Sequence, residues 1–325
     1  MKLSYIITTY NLSEAEIRRC LGSLTRQGID RDDYEAIVVD DESDISPEPV
    51  VLSFAEQMNI RFFRQAHARQ GTARNLAFRE AQGEFIQIVD GDDYLFAHTS
   101  DWCLKTMQEF HTDMVIFSHV TASTRLNVQR PEQSNTLNIY SGQEYMERHT
   151  LFGSCCTMCF RRQLLGLDGN TPLLFTENTY IEDEAFVTRL VWRTPQVAVS
   201  DFKGYVYVQR PTSTTLRQDT EHINDLFVAY FRALDDIIHF AKSEPRPHKG
   251  LDRKIHWLSV DILRRALRQN DWQQRFADNS AALRRRGLFP LPKANYSWKY
   301  TAFRFLAPRP WGQRLLHFFE QNPIR

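Results

Sequence analysis

Three carboxylates fall within four positions at Asp90-Gly91-Asp92-Asp93, directly after the apolar run Phe85, Ile86, Ile88 and Val89. That run follows Gly83 and reads as a buried strand. Asp90, Asp92 and Asp93 repel one another unless something positive lies between them. A hard divalent cation is the natural counter-ion, because Mg2+ and Mn2+ prefer carboxylate oxygens and share their coordination with phosphate. The three are therefore candidate metal ligands, and Gly91, lacking a side chain, lets a ligand approach closely. A solvated acidic turn would carry the same residues, but the helix and strand that precede them favour the functional reading. A second acidic pair, Asp40-Asp41, follows another apolar segment and would also serve as a turn and helix cap ahead of Pro47. A third, Glu182-Asp183, heads a helix, where backbone N–H groups and the dipole hold a carboxylate in place. The dipole would lower its pKa, and burial near Tyr180 and Phe186 would oppose that.

The elements around these residues alternate. A strand is expected at 3–9 and a helix from Glu14 to Gln27 capped by Ser13. A strand at 34–39, a helix opened by Pro47 and Pro49 to Met58, and a strand at 60–63 come next. A short helix from Gly71 leads to the strand ending in the Asp cluster. This β-α alternation predicts an α/β fold with a mostly parallel sheet flanked by helices. Parallel strands end on one edge, so Asp40-Asp41 and Asp90 to Asp93 should project together beside Thr8 and Thr9, where open α/β sheets bind ligands. Further on, a helix is expected at 101–111, a strand at 113–118, a hairpin or excursion loop at 119–140 and a helix after Ser141. A cysteine-bearing strand, a loop at 166–172, a helix to Trp192 and strands at 196–200 and 204–209 follow. From Asp219 the pattern is helical, at 219–242, 251–269 and 271–286, with a linker at 242–250. This suggests a catalytic domain at 1–218 and a helical C-terminal appendage at 219–325.

At 325 residues and 42% hydrophobic, the chain can bury a substantial core. No apolar run approaches bilayer-spanning length, and Met1 to Ile7 enters a strand pattern without a signal-peptide cleavage region. Five cysteines, an odd number, then argue for reduced thiols and a cytoplasmic protein. Cys156 and Cys159 have C-x-x-C spacing, but no second pair completes a zinc site, so a small-residue core strand is expected. Residues 251–325 hold 15 Lys/Arg against 5 Asp/Glu, a net of +10, which the first 250 residues balance. A basic tail rich in Trp, Phe and Tyr suits a membrane interface, packing on the catalytic domain or an oligomer contact. No nucleic-acid-binding module accompanies the charge, and no nucleic-acid partner is expected.

Five segments in order, Ile6 to Asn11, Val38 to Ser43, Gly71 to Asn75, Gly83 to Phe85 and Asp90 to Asp93, resemble the family 2 glycosyltransferases, inverting enzymes of GT-A fold. The resemblance covers about residues 1–215. It implies a nucleotide-diphosphate sugar donor, a divalent metal, Mn2+ or Mg2+, and direct displacement at the anomeric carbon. Carried over by position, Thr8 and Asp41 hold the nucleoside, with Thr9, Tyr10 and Asp40 beside them, and Gly71 and Arg74 flank the nucleotide. Asp90 and Asp92 match the Asp-x-Asp motif, with Asp92 the direct metal ligand, Asp93 in support and Gly91 between them. Glu182-Asp183 resembles the acceptor-side acidic motif, with Asp183 as general base. Tyr205 to Ser213 resembles the closing segment, in which Arg210 would cover the diphosphate. Val208 stands where Arg is common in the family and Gln209 where some members have a metal-binding His.

The expectation is a metal-dependent inverting transferase that adds a sugar, from a UDP-sugar by family weight, to a glycan acceptor on a lipid carrier in surface polysaccharide biosynthesis. It would work in the cytoplasm, peripheral to the inner face of the membrane. A sugar-1-phosphate nucleotidyltransferase would lead with a Gly-rich basic loop where this chain has Thr9-Tyr10-Asn11-Leu12. A non-catalytic scaffold in a polysaccharide-assembly complex is the reading from another class.

Overall fold

Strands β1 (Leu3–Thr9) and β2 (Tyr34–Asp40) are buried over their whole length, as continuous apolar strands covered on both faces must be. In the computed structural model they sit among residues 1–123, 128–132, 136–169, 171–210 and 219–322, which the structure describes. Helix α1 (Glu14–Leu24) joins them. Its start is fixed by a capping box: Glu16 N donates to Ser13 Oγ (3.4 Å) and Ser13 N to Glu16 Oε2 (2.7 Å). Ile17, Cys20, Leu21 and Leu24 face the core. The short α2 (Glu48–Leu52) leads to β3 (Asn59–Arg64), α3 (Arg69–Glu80) and β4 (Phe85–Asp90). β1 pairs in parallel with β2 and β4, and β2 with β3.

Beyond β4 lie β5 (Tyr94–Leu95), α4 (Thr99–Glu109), β6 (Met114–Ser123), β7 (Leu137–Tyr140), α5 (Gly142–Arg148), β8 (Met158–Arg161), α6 (Glu182–Arg193) and β9 (Val197–Gln209). Among the described residues the nine-stranded sheet runs β3-β2-β1-β4-β8-β6-β9-β5, with β7 on β9. β8 is antiparallel to both β4 and β6, so the sheet is mixed. Two expected strands, 196–200 and 204–209, are one. Its partner β6 follows it through register shifts between Ile116 and His119, and Gly204 passes close to the Phe117 ring, where a Cβ would sit 2.9 Å away. The expected excursion at 119–140 starts instead as a continuation of β6 and ends as β7, while 124–127 and 133–135 lie outside the described residues.

The chain divides into two compact units, 1–145 with 152–229, and 146–151 with 230–325. Helix α7 (Thr220–Ser243) runs across that division. The second unit carries α8 (Lys249–Leu267), α9 (Trp272–Arg285), α10 (Trp298–Leu306) and α11 (Pro310–Gln321), with α8 packed on α9 and α11. All five cysteines are free and buried, Cys159 within β8. Among the described residues no helix is long and apolar enough to cross a membrane.

Candidate active site

The register of the parallel strands sets Thr9 opposite Asp40 and Thr8 opposite Asp90, so both acidic clusters emerge from one sheet edge. Asp40 is fully buried and used internally. It accepts from Thr9 Oγ1 (3.1 Å), Ser43 N (3.0 Å) and Ser43 Oγ (2.5 Å). Asp41 organises the approach to α3: its carboxylate accepts from Ala68 N (2.9 Å), Arg69 N (2.8 Å) and Gln65 Nε2 (2.8 Å), with His67 Nδ1 at 2.9 Å. Tyr10, half-exposed, lies against the His67 ring at 4.5 Å, leaving an aromatic face at the end of β1.

Thr8 and Asp90 are bridged by Gln70 Nε2, at 3.1 Å and 2.6 Å. Gly91 N donates to Thr8 O (3.2 Å), and a Cβ there would lie 2.8 Å from that oxygen and 2.7 Å from Leu12 Cδ1. Only glycine lets the loop after β4 close on β1. Gly71 is the equivalent on α3: a Cβ would meet Thr176 O at 3.0 Å, Glu182 Cγ at 3.1 Å and Phe175 Cβ at 3.2 Å. It seats α3 against the 175–182 segment.

Arg74 joins the two sides. Its side chain is 1% exposed, with Nη2 2.8 Å from Asp90 Oδ1 and Nη1 2.6 Å from Asp183 Oδ1 and 3.1 Å from Glu182 Oε1. The guanidinium also lies over Phe175, 5.1 Å from the ring centroid. Burial works against its charge, but Asp183 foremost and Asp90 hold it well above the ordinary arginine value. One buried cation thus faces three carboxylates. Burial and then the charge of Asp183 push Glu182 up to about 8, against the pull of Arg74. Asp183 is also raised, by burial, with Arg74 opposing. Burial therefore wins over the helix terminus at both carboxyls. Asp183, a quarter exposed, also accepts from Cys155 Sγ at 3.5 Å.

The other two aspartates diverge. Asp92 is one-fifth exposed and pairs with Arg210 Nη2 at 2.5 Å, while Arg210 Nη1 reaches Glu16 Oε1 at 3.2 Å. Arg19 Nη2 donates to the Asp92 carbonyl. Burial, then Asp90, raises the Asp92 pKa, and Arg210 opposes the rise. Asp93 is almost wholly buried and accepts from Val208 N (2.7 Å) and Tyr205 Oη (2.7 Å), tying the acidic turn to β9. Among the described residues no group of three or more His, Cys, Asp or Glu side chains could hold a metal ion by itself. Asp92, whose carboxylate already faces a cation, and Asp90 are the hard oxygen donors that a Mg2+ or Mn2+ would take.

Sequence reasoning singled out Thr8, Arg74, Asp90, Glu182 and Asp183, which the structure joins in one cluster, and Asp92 and Arg210, which it pairs in a second, but it set Arg74 beside the nucleotide rather than among the acids. It missed Gln70, Arg19, Glu16 and Cys155. For Glu16 a signal existed in Ser13-x-x-Glu16, which fixes the carboxylate that receives Arg210. The rest of the expected closing loop, Pro211 to Ser213, lies outside the described residues.

The chain as a whole is similar to known proteins. The poly(ribitol-phosphate) beta-N-acetylglucosaminyltransferase TarS of Staphylococcus aureus is 25% identical over 232 residues, 70% of this chain and 38% of TarS. The poly(ribitol-phosphate) beta-glucosyltransferase of Bacillus spizizenii is 25% identical over 270 residues, 81% of this chain and 40% of that protein. The chain thus spans about two-fifths of the length of these relatives. The crystal structure of S. aureus TarS 1–349 in complex with UDP-GlcNAc superimposes with a TM-score of 0.68 at 20% identity, covering 99% of this chain and 89% of that one. A mannosyltransferase of Pyrobaculum calidifontis in complex with GDP-Man and Mn2+ gives 0.55 at 14%, covering 99% and 88%. The fold is the GT-A type of TarS. Residues 4–166, half of the chain, match the family model for glycosyl transferase family 2, and the chain belongs to that family.

Proposed function

We propose that the chain is a metal-dependent inverting glycosyltransferase that moves a sugar from a nucleotide-diphosphate sugar, a UDP-sugar, to a hydroxyl of a glycan acceptor in surface polysaccharide biosynthesis. The observation that carries this reading is the Arg74 guanidinium, which holds Asp90 at the strand edge and Asp183 at a helix start in one cluster. An edge that binds a donor and a carboxylate that takes a proton are thereby fixed relative to each other.

In this reading Tyr10, Thr8 and the loop held by Asp41 receive the nucleoside. Asp92 and Asp90 would hold a Mg2+ or Mn2+, whose charge would neutralise the departing diphosphate. The hard-oxygen donor set supports that, as does a neighbour in fold whose structure contains GDP-Man and Mn2+. Asp183 accepts the proton of the acceptor hydroxyl as its oxygen bonds to the anomeric carbon. The carbon–phosphate oxygen bond breaks with its electron pair going to the diphosphate, and the configuration inverts. A raised pKa makes Asp183 a better base than an ordinary aspartate, and Arg74 holds it in place. Arg210 can leave Asp92 for the diphosphate when the donor binds. Relatives that act on poly(ribitol-phosphate) support a cell-surface polymer as acceptor. A lipid-linked acceptor would bring the enzyme to the inner face of the cytoplasmic membrane.

The test is calorimetric binding and turnover with UDP-GlcNAc, UDP-glucose and GDP-mannose, with and without Mn2+ or Mg2+. Asp92→Asn should lose metal-dependent binding. Asp183→Asn should bind the donor normally and lose about 10²- to 10⁴-fold in kcat. If wild type binds no nucleotide sugar under any metal condition, the transferase reading fails and a scaffold takes its place.

A further inference from the structure

Helix α11 buries Gly312 and Leu316 but leaves the rest of its apolar residues exposed. Its polar side faces its own unit: Glu320 pairs with Arg264 Nε (2.5 Å) and Arg268 Nη2 (2.7 Å), and His317 Nδ1 lies 2.7 Å from Leu267 O. The Trp272 ring stacks on His317 at 4.6 Å, and Gln313 Nε2 donates to Ala307 O (2.9 Å). Its apolar side faces out, with Trp311 (56% exposed), Leu315 (39%), Phe318 (59%) and Phe319 (45%) within about a 100° arc of the helix. A surface helix ordinarily does the reverse.

α10 extends the patch. Tyr300 and Phe303 are buried, while Trp298 (76%) and Phe305 (52%) stand out, and the Phe305 and Trp311 rings lie 6.3 Å apart. Cations rim it. Lys299 Nζ lies 6.0 Å from the Trp298 ring, Arg309 sits over Phe305 at 3.8 Å, and Arg314 is exposed beside Leu315. Glu320, the acid of this helix pair, is turned inward.

We propose that the outer faces of α10 and α11 dock the protein on an anionic lipid surface. Exposed indole and phenyl rings ringed by Lys and Arg match an interface of acyl chains beneath negative headgroups. A second copy is the poorer occupant, because a symmetric contact would press one cationic rim against another. The proposal does not depend on the sugar-transfer reading, since binding to lipid is read without nucleotide.

The experiment is cosedimentation of the full chain with vesicles of phosphatidylcholine alone and of phosphatidylcholine with 30% phosphatidylglycerol, with tryptophan emission read in parallel. Wild type should sediment with the anionic vesicles with a blue-shifted emission, and bind less in high salt. Trp311→Glu with Phe318→Glu should weaken binding at least about tenfold. Lys299→Glu with Arg314→Glu should weaken it while leaving the rings in place. These side chains are exposed, so circular dichroism and nucleotide-sugar binding should be unchanged, which separates loss of docking from loss of fold. The proposal is overturned if wild type stays in solution with anionic vesicles. It is equally overturned if the double variants bind as wild type does, or if light scattering shows a dimer that Trp311→Glu with Phe318→Glu dissolves and no vesicle binding.

Discussion

Arg74 Nη1 lies 2.6 Å from Asp183 Oδ1, across 109 residues of sequence. The contact is made where a cation is costly, beneath Phe175 and with almost no solvent. It is sustained by a second carboxylate, Asp90, on the other nitrogen. A buried guanidinium with a planar fork can hold two partners in fixed directions, which an ammonium cannot. The strand that would carry the donor and the helix that would carry the base are therefore joined through one side chain.

Removing that side chain strands three carboxylates. Arg74→Met should cost about 3–5 kcal/mol, the range for breaking a buried ion pair. Arg74→Lys should fall between it and wild type, keeping the charge but losing the fork. Urea unfolding measures both, and an Arg74→Met protein within about 1 kcal/mol of wild type would show that the cluster is not held by this cation.

Gly71 gives a prediction about rate rather than stability. A valine would press on Thr176 O and Glu182 Cγ, pushing α3 away from the start of α6. Gly71→Val should then leave donor affinity near wild type and lower kcat about 10²-fold, the scale of an ångström-sized misplacement of a catalytic group. An equal fall in donor affinity would place Gly71 against the nucleotide instead.

Asp93 and Asp92 stand side by side and should behave differently. Asp93 accepts from Val208 N and Tyr205 Oη inside the protein, and an asparagine can accept from the first and turn its amide toward the second. Asp93→Asn should cost about 1 kcal/mol of stability and keep metal-dependent donor binding, whereas Asp92→Asn should lose it. Loss of binding in both would make Asp93 a ligand.

Much of this arrangement is legible in the amino-acid sequence. The four parallel strands follow from short runs rich in apolar residues at 3–9, 34–39, 60–63 and 85–89, and their direction alone puts Asp40-Asp41 and Asp90 on one edge. The helix at Glu182 is legible from its acidic start, and the likeness of five segments to a known family sets the order of the motifs. What stays hidden depends on contacts that no local pattern encodes. Arg74 reads as one cation on a helix, and nothing near it in sequence announces Glu182. Asp93 looks like its neighbours until β9 places Val208 and Tyr205 beside it. The join of 196–200 with 204–209 requires the matching shift in β6, and the outward face of α11 requires Arg264 and Arg268 to claim Glu320.

Glu182 also sets a pH dependence of stability. Its pKa is about 8 in the folded protein, raised by burial first and by Asp183 second, against an ordinary value of 4.5. Between those values the folded state holds a proton that the unfolded state has released. Stability must then fall as pH rises, because its slope follows the protons bound unfolded minus those bound folded. The contribution is fully present below about pH 4.5 and gone above about 8. Chemical denaturation at pH 5.5, 7 and 8.5 should show wild type weakening steadily across the series. Glu182→Gln, which keeps the shape of the protonated acid, should lessen that slope and gain on wild type at pH 8.5, while Asp93, also raised to about 8 by burial, keeps the remainder. A wild type and a Glu182→Gln protein that run parallel across the three pH values would mean that Glu182 is ionised in the fold, and that Arg74 carries three full charges rather than two.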